Sequence, residues 1–171
     1  SLVALAGAIE REVCGLEFIP DGVRTADGEY VYTATREPQR PQDQGLNCTG
    51  FSKAVGDFLH QRLFETDQGL RIDDLTRRYL DLRRDEAAIP YEYELDPFYG
   101  QDWVRNIARV LNRRSRFWDK ELPGDHYDIV DIPGVPFDPR WGFPAAQIGT
   151  ILDYLCDAYP GSVFFFAIAK R

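Results

Sequence analysis

Residues 44–51 read QGLNCTGF and lead from a polar loop into the clearest helix of the chain. From Phe51 to Leu63 apolar side chains recur every three or four residues, which predicts a helix with one broad apolar face. Asn47 belongs to a residue type that caps helices, and the first helical turn carries Cys48. Because Cys48 precedes Phe51 by three residues, we expect its side chain on the buried face.

The chemistry of this position favours a reactive thiol at Cys48. The backbone N–H groups at a helix start lack partners, and the positive end of the helix dipole stabilises a thiolate, which is the nucleophilic form. Gly50 is costly inside a helix, by about 0.5–1 kcal/mol relative to alanine, which indicates that something approaches the backbone closely there. Two alternatives give Cys48 no chemistry of its own: it is a small buried residue, or Asn47 caps the helix and Cys48 merely occupies the first helical position.

Hydrophobic patterning outward from this segment predicts a mixture of helices and strands. Helical spacing predicts helices over residues 2–13, 72–82, 101–112 and 144–159. Alternation or a continuous apolar run predicts strands over 29–33, 127–132 and 162–171, and residues 35–45 and 87–100 are expected to form loops. The segment 35–45 is expected to have nothing that pins it to a core, since it holds no large apolar residue.

Composition places the chain among proteins with one compact core. Its 171 residues are 44% hydrophobic and 28% charged, which fits a single domain over residues 1–171. A net charge of −8 opposes binding to nucleic acid or to an anionic membrane face, and no apolar run is long enough to span a membrane. With two distant histidines, no Cys-x-x-Cys pair and no phosphate-binding loop, the sequence predicts no metal site and no cofactor.

The two ends of the chain suggest that it is part of a longer product. It begins at Ser1 and contains no methionine, so we expect it to be processed or trimmed. It stops at Arg171, directly after the run predicted as a core strand, which favours truncation at the C-terminus.

Two further groups of residues have ordinary structural explanations. Cys14 and Cys156 lie in apolar contexts and are expected to be small buried residues. Basic residues concentrate at Arg105, Arg109 and 113–116, and we interpret them as a solvated helix end whose cations favour the helix C-terminus. The alternative is an interaction module that binds an acidic partner through this segment.

The run Asn47-Cys48-Thr49-Gly50-Phe51 resembles the nucleophile motif of the NlpC-type cell-wall peptidases, a branch of the papain-like cysteine peptidases. In that motif an acidic residue, cysteine, serine, glycine and an aromatic residue follow one another at a helix start. Cys48, Gly50 and Phe51 match, whereas Asn47 replaces the acid and Thr49 replaces the serine. The resemblance implies a papain-like α+β fold, in which the cysteine helix packs on a small antiparallel sheet, with helical insertions over residues 64–122.

The resemblance also implies a histidine base and a polar residue that orients it. His126 is the candidate base, because it precedes a predicted strand, and Asp138 is the candidate orienting residue, with Asp128 as its competitor. His60 is a poor candidate because it lies twelve residues along the cysteine's own helix, about 18 Å away. Gln42, six residues before Cys48, has the spacing of the papain oxyanion-hole glutamine.

A second match to the same family leaves the identity of the catalytic base open. Pro160-Gly161-Ser162 resembles the Pro-Gly-Asp start of a family strand, which in the family precedes the histidine. If this match is the correct one, the histidine lies beyond Arg171 and His126 is a turn residue.

These resemblances imply a cysteine-dependent amide hydrolase without a cofactor. By resemblance the substrate is a peptidoglycan stem peptide or a related amide, and the location is the cell envelope. The alternative is a catalytically inactive binding module on the same fold, whose exposed aromatic residues between 91 and 99 rim a groove.

Overall fold

The computed structural model describes residues 2–77, 101–114, 129, 131–138, 142–160 and 164–166. Over these residues the chain forms four α-helices and a two-stranded antiparallel sheet, which confirms the prediction of an α+β protein. The elements are α1 (Leu2–Val13), β1 (Val23–Arg24), β2 (Tyr30–Val31), α2 (Cys48–Phe64), α3 (Gln101–Arg114) and α4 (Ile148–Ala158). Short 3-10 helices cover Pro41–Asp43, Ile72–Leu75 and Ala145–Gln147.

The small sheet is a hairpin that packs against α2. Val23 lies opposite Val31, and Arg24 lies opposite Tyr30. The N–H of Thr25 donates to the carbonyl of Glu29 at 2.8 Å and closes the turn. Val23 and Val31 are both buried, so the hairpin presents an apolar side to the core next to α2.

The main hydrophobic core lies between α2, α3, the hairpin and the segment that follows α2. Trp103 and Ile107 of α3 are fully buried in it, together with Leu70 and Leu75. α1 adds partly buried side chains from the far side of α2. This packing encloses α2 on several sides, and its first residue is Cys48.

The predicted single apolar face of α2 is wrong in one respect. Lys53, Asp57 and His60 are buried, whereas Leu63 is 55% exposed. The physical reason is that α2 packs against α1, β1 and α3, so its polar positions also meet protein and need partners there.

A second, smaller cluster forms around α4. Ile151 and Leu155 of α4 are buried against Ile132 and Val135. Ile148 and Leu152, which the helical pattern predicted to be buried, are each 40% exposed. Of two consecutive phenylalanines, Phe164 packs against this cluster and Phe165 packs against the main core.

Several predicted elements differ from the structure or lie outside the described residues. The predicted helix 72–82 begins as a 3-10 helix over Ile72–Leu75, and residues 78–82 are not among those described. Residues 164–166 of the predicted last strand are not in a strand. Residues 129, 131 and 132 lie outside any strand as well, although Ile132 forms an isolated bridge with Val135. The predicted loop 87–100 falls outside the described ranges.

Candidate functional site

Cys48 is the first residue of α2, and its side chain is exposed. The prediction that it lies on the buried face is therefore wrong. Helical side chains lean toward the helix N-terminus, so a residue in the first turn projects past the helix end instead of onto the packed turns. Cys14 and Cys156 are also exposed, which corrects the expectation that both are buried.

Asn47 caps α2 and fixes the backbone that carries Cys48. Its Oδ1 accepts hydrogen bonds from the backbone N–H of Gly50 at 2.8 Å and from the hydroxyl of Thr49 at 2.7 Å. Its own backbone N–H donates to the carbonyl of Gly22 at 2.9 Å. The predicted Asn cap is confirmed, and it ties the helix start to the residue that precedes β1.

Buried polar contacts extend this arrangement to the end of β2. The side-chain amide of Asn47 donates to the hydroxyl of Thr33 at 3.4 Å. The backbone N–H of buried Thr33 in turn donates to Asp21 at 2.7 Å. The Cys48 site, by which we mean Cys48 with Asn47, Thr49 and Gly50, is therefore held by the segments on both sides of the hairpin.

Gly50 occurs where α2 approaches another backbone. A Cβ at this position would lie 2.2 Å from the carbonyl oxygen of Gly22 and 3.1 Å from the Cβ of Leu46. The close approach predicted from a glycine in the first helical turn is confirmed, and its partner is the chain that leads into β1. Larger residues at position 50 would push Cys48 away from its present place.

The loop before Cys48 is anchored by a glutamine that the sequence did not single out. Gln39 is 5% exposed, and its side-chain amide bonds the backbone of Val31 and of Gly45. The expectation that nothing pins residues 35–45 is wrong. Gln42, the predicted oxyanion-hole residue, lies exposed in the 3-10 helix Pro41–Asp43. Nothing in a polar, Gln-containing loop distinguishes Gln39 from Gln42, because the partners of Gln39 lie in the backbone of distant residues.

The helix start offers hydrogen-bond donors beside the thiol. Among the contacts of the described residues, the backbone N–H groups of Cys48 and Thr49 have no acceptor, as is usual for the first turn of a helix. Such donors can stabilise an oxyanion that develops next to the thiol. Cys48 thus combines an exposed side chain with backbone donors that have no acceptor among the described residues.

Of the two histidines considered as the base, the structure describes His60 but not His126. His60 is buried, and its Nδ1 donates to the carbonyl of Gln68 at 3.0 Å, so it belongs to the core side of α2. His126 and Asp128 lie outside the described residues. Asp138 is exposed, and its backbone N–H and carbonyl both bond Gly142 in an isolated bridge. None of the described contacts of Asp138 involves Cys48.

A buried ion pair lies further along α2. The Nζ of Lys53 contacts both carboxylate oxygens of Asp57, at 2.9 Å and 2.8 Å, and the backbone N–H of Leu70 donates to Asp57 at 2.7 Å. Burial lowers the pKa of Lys53 and raises the pKa of Asp57, and their mutual attraction opposes both shifts. This pair joins α2 to the segment after it.

Two arginines of the predicted basic concentration have structural partners. Arg105 pairs with Asp102 at 3.0 Å, and Arg109 donates to the backbone carbonyl of Asp74 at 3.1 Å. These contacts use the two side chains to secure α3, and neither side chain is fully solvated as the sequence interpretation expected.

In the ranges that the structure covers, no group of three or more His, Cys, Asp or Glu side chains is arranged to hold a metal ion. None of the helices described there has the length and apolar character that crossing a membrane requires.

Comparisons of the chain with protein-family models, with curated proteins and with solved structures found no match.

Proposed function

We propose that this protein is a cysteine-dependent amide hydrolase of papain-like architecture, with Cys48 as its nucleophile. The observation that carries the proposal is the exposed thiol at the first residue of α2, beside two backbone N–H groups that have no acceptor among the described contacts. The helix N-terminus distinguishes Cys48 from Cys14 and Cys156, which are also exposed but lie at the C-terminal ends of helices.

The proposed reaction follows from these groups. The sulfur of Cys48 attacks the amide carbonyl and forms a C–S bond, while the carbonyl oxygen becomes an oxyanion next to the N–H of Cys48. His126, the proposed base, takes the thiol proton and returns it to the leaving nitrogen as the C–N bond breaks. Water then hydrolyses the thioester and releases the acid, with Asp138 proposed to orient the imidazole.

The substrate class and the location of the protein rest on the motif resemblance. The sequence of residues 47–51 is similar to the NlpC-type nucleophile motif, so we propose a peptidoglycan stem peptide as substrate and the cell envelope as location. The same resemblance supplies the papain-like form of the fold, for which the cap at Asn47 and the helix start at Cys48 are the supporting features.

The first test measures the reactivity of the three cysteines, which act as controls for one another. Cys48 begins a helix, Cys14 directly follows the last residue of α1, and Cys156 lies in the last turn of α4. All three are exposed, so their iodoacetamide alkylation rates compare opposite ends of helix dipoles. We expect Cys48 to react at least about tenfold faster at pH 7, and peptide mass spectrometry reads each site separately.

The second test measures hydrolysis of isolated peptidoglycan and of stem peptides. Cys48→Ala should remove the activity, whereas Cys156→Ala, which changes another exposed cysteine, should retain it. His126→Ala should slow both hydrolysis and Cys48 alkylation if His126 is the base. A reactive Cys48 that is indifferent to His126→Ala would instead place the base beyond Arg171.

The second candidate function is a binding module, and the position of His60 supports it. His60 is the histidine that the described residues contain, and it is buried on α2 away from solvent. Equal alkylation of the three cysteines, with stem-peptide binding that survives Cys48→Ala, would favour this candidate over the hydrolase.

A further inference from the structure

The buried side chain of Gln39 links the end of β2 to the loop that leads to Cys48. Its Nε2 donates to the carbonyl of Val31 at 2.9 Å and to that of Gly45 at 3.1 Å, and its Oε1 accepts from the N–H of Gly45 at 2.8 Å. We propose that Gln39 is a positioning residue for Cys48, acting through Gly45, an inference that rests on the proposed role of Cys48 as nucleophile.

The side chain of Gln39 acts toward Gly45 as the backbone of a neighbouring strand would. It bonds both the donor and the acceptor of one residue, so it fixes that residue in position and in orientation. The other side of the same segment is paired with the chain before β1. There the N–H of Leu46 donates to the carbonyl of Glu17 at 2.9 Å, and the carbonyl of Leu46 accepts from Ile19 at 3.1 Å.

Close contacts at three glycines transmit the position of Gly45 to the start of α2. A Cβ on Gly45 would lie 2.7 Å from the carbonyl of Glu17, and a Cβ on Gly22 would lie 2.2 Å from the carbonyl of Gly45 and 2.7 Å from Nε2 of Gln39. The carbonyl of Gly22 then accepts the N–H of Asn47 and closely approaches Gly50. Close backbone contacts therefore connect the segment that Gln39 bonds to the cap of α2, and no flexible side chain lies between them.

Removal of the Gln39 amide leaves the N–H of Gly45 and the carbonyls of Gly45 and Val31 without these partners inside the fold. Buried backbone groups in that condition draw in water or move toward other partners. Because the close contacts of these glycines leave no space between the segments, movement of Gly45 displaces Gly22 and Asn47. The first turn of α2, which carries Cys48, then loses the fixed backbone conformation that aligns its N–H groups.

The test compares Gln39→Leu with Gln61→Leu, a matched change of a second glutamine that bonds a backbone carbonyl. Gln61 donates to the carbonyl of Asp67 at 2.9 Å, near the C-terminal end of α2. Iodoacetamide alkylation of each cysteine is measured from pH 6 to pH 9, well below the unfolding temperature of each variant. In Gln39→Leu we expect Cys48 alkylation at pH 7 to fall by about tenfold, because the backbone N–H groups at the start of α2 are no longer held in place beside the thiol.

The other cysteines separate positioning from general stability. Cys14 and Cys156 should change less than twofold in Gln39→Leu, and all three rates should be unchanged in Gln61→Leu. A Gln39→Leu protein that melts at lower temperature but keeps the wild-type rate and pH profile at Cys48 would overturn the inference. If the wild-type Cys48 reacts no faster than Cys14 and Cys156, the proposed function itself fails.

Should Gln39→Leu not fold, Gln39→Glu serves as the second variant. A glutamate has the same length and can still accept from the N–H of Gly45, but it cannot donate to the two carbonyls. We expect a loss of Cys48 alkylation in the same direction, because the buried glutamate replaces two donated hydrogen bonds with repulsion of the carbonyls of Val31 and Gly45. Full wild-type reactivity in a folded Gln39→Glu protein would contradict the role of the Nε2 bonds.

Discussion

Gly50 is the residue whose replacement should disturb the Cys48 site most directly. A Cβ there meets the backbone oxygen of Gly22 at 2.2 Å, and backbone cannot rotate away as a long side chain can. We expect Gly50→Ala to lower the free energy of unfolding by about 1–3 kcal/mol, as overpacked sites do. Urea unfolding measures the loss, and Cys48 alkylation should slow in the same variant.

Gly149 provides the control for this prediction. It lies in α4, and a Cβ at this position would meet nothing within 4 Å. Gly149→Ala should therefore stabilise the protein, by up to about 1 kcal/mol, because alanine restricts the unfolded chain and favours helix. Equal effects of the two substitutions would show that helix propensity, and not the approach of Gly22, decides the cost at Gly50.

Asn47 should stabilise α2 through its oxygen. Asn47→Ala removes the acceptor for Gly50 and Thr49 and should cost about 1 kcal/mol in unfolding free energy. Asn47→Asp keeps an acceptor and should stay close to wild type. Gln147 precedes α4 without a side-chain cap bond, so Gln147→Ala should leave the thermal midpoint unchanged. A midpoint that falls as far in Gln147→Ala as in Asn47→Ala would count against the cap.

The residues of the Cys48 site divide by the range of their interactions. Asn47, Cys48 and Gly50 could be predicted because capping and glycine in a helical turn are local signals, readable over a few positions. The exposure of Cys48 was missed because apolar periodicity describes the middle of a helix better than its first turn. Gln39 could not be found at all, since its bonds run to the backbone of Val31 and Gly45 and depend on the finished fold.

At the scale of elements, α2 is held to its surroundings by the buried pair of Lys53 and Asp57. Lys53→Met leaves the Asp57 carboxylate buried without its cation and should cost about 3–5 kcal/mol of unfolding free energy. The double variant Lys53→Met with Asp57→Asn removes both charges, and an asparagine oxygen can still accept from Leu70. We expect the double variant to recover most of the loss, because desolvation of the two charges already opposes folding.

An exposed pair supplies the comparison for Lys53 and Asp57. The side chains of Arg71 and Asp73 are 69% and 80% exposed, and their charged atoms lie 3.9 Å apart. Arg71→Met should change the unfolding free energy by less than about 1 kcal/mol, because solvent screens such pairs. If the double variant of α2 were no more stable than Lys53→Met, the cost would come from lost packing of the lysine stem and not from an uncompensated charge.

The elements also differ in how well patterning predicts them. α1, α3 and α4 follow from apolar spacing with ends displaced by a few residues at most, because each presents one stripe to the core. β2 is two residues long where alternation predicted five, since strand length depends on a partner that the sequence does not specify. Residues 164–166 are apolar enough for a strand, yet they pack as single side chains against the two clusters.

At the scale of the whole molecule, the two hydrophobic clusters are linked through adjacent residues. Phe164 packs on the cluster of Ile151 and Leu155, and Phe165 packs on the core that contains Ile107. Loss of either cluster therefore displaces a segment that the other one uses. Whether residues 1–171 form a single domain, as predicted, depends on how strongly this link couples the two clusters.

That prediction can be tested by destabilising each cluster in turn. Ile107→Ala and Leu155→Ala each remove a buried side chain and should cost about 2–5 kcal/mol. In a single domain both variants shift the same cooperative urea transition, and amide hydrogen exchange in α3 and α4 accelerates together. Two separate transitions, with faster exchange in α4 alone after Leu155→Ala, would show two folding units. The Cys48 site would then depend on the main core only. Asp138, which follows Ile132 and Val135 of the smaller cluster in the sequence, would belong to the other unit and be a weaker candidate for orienting the base.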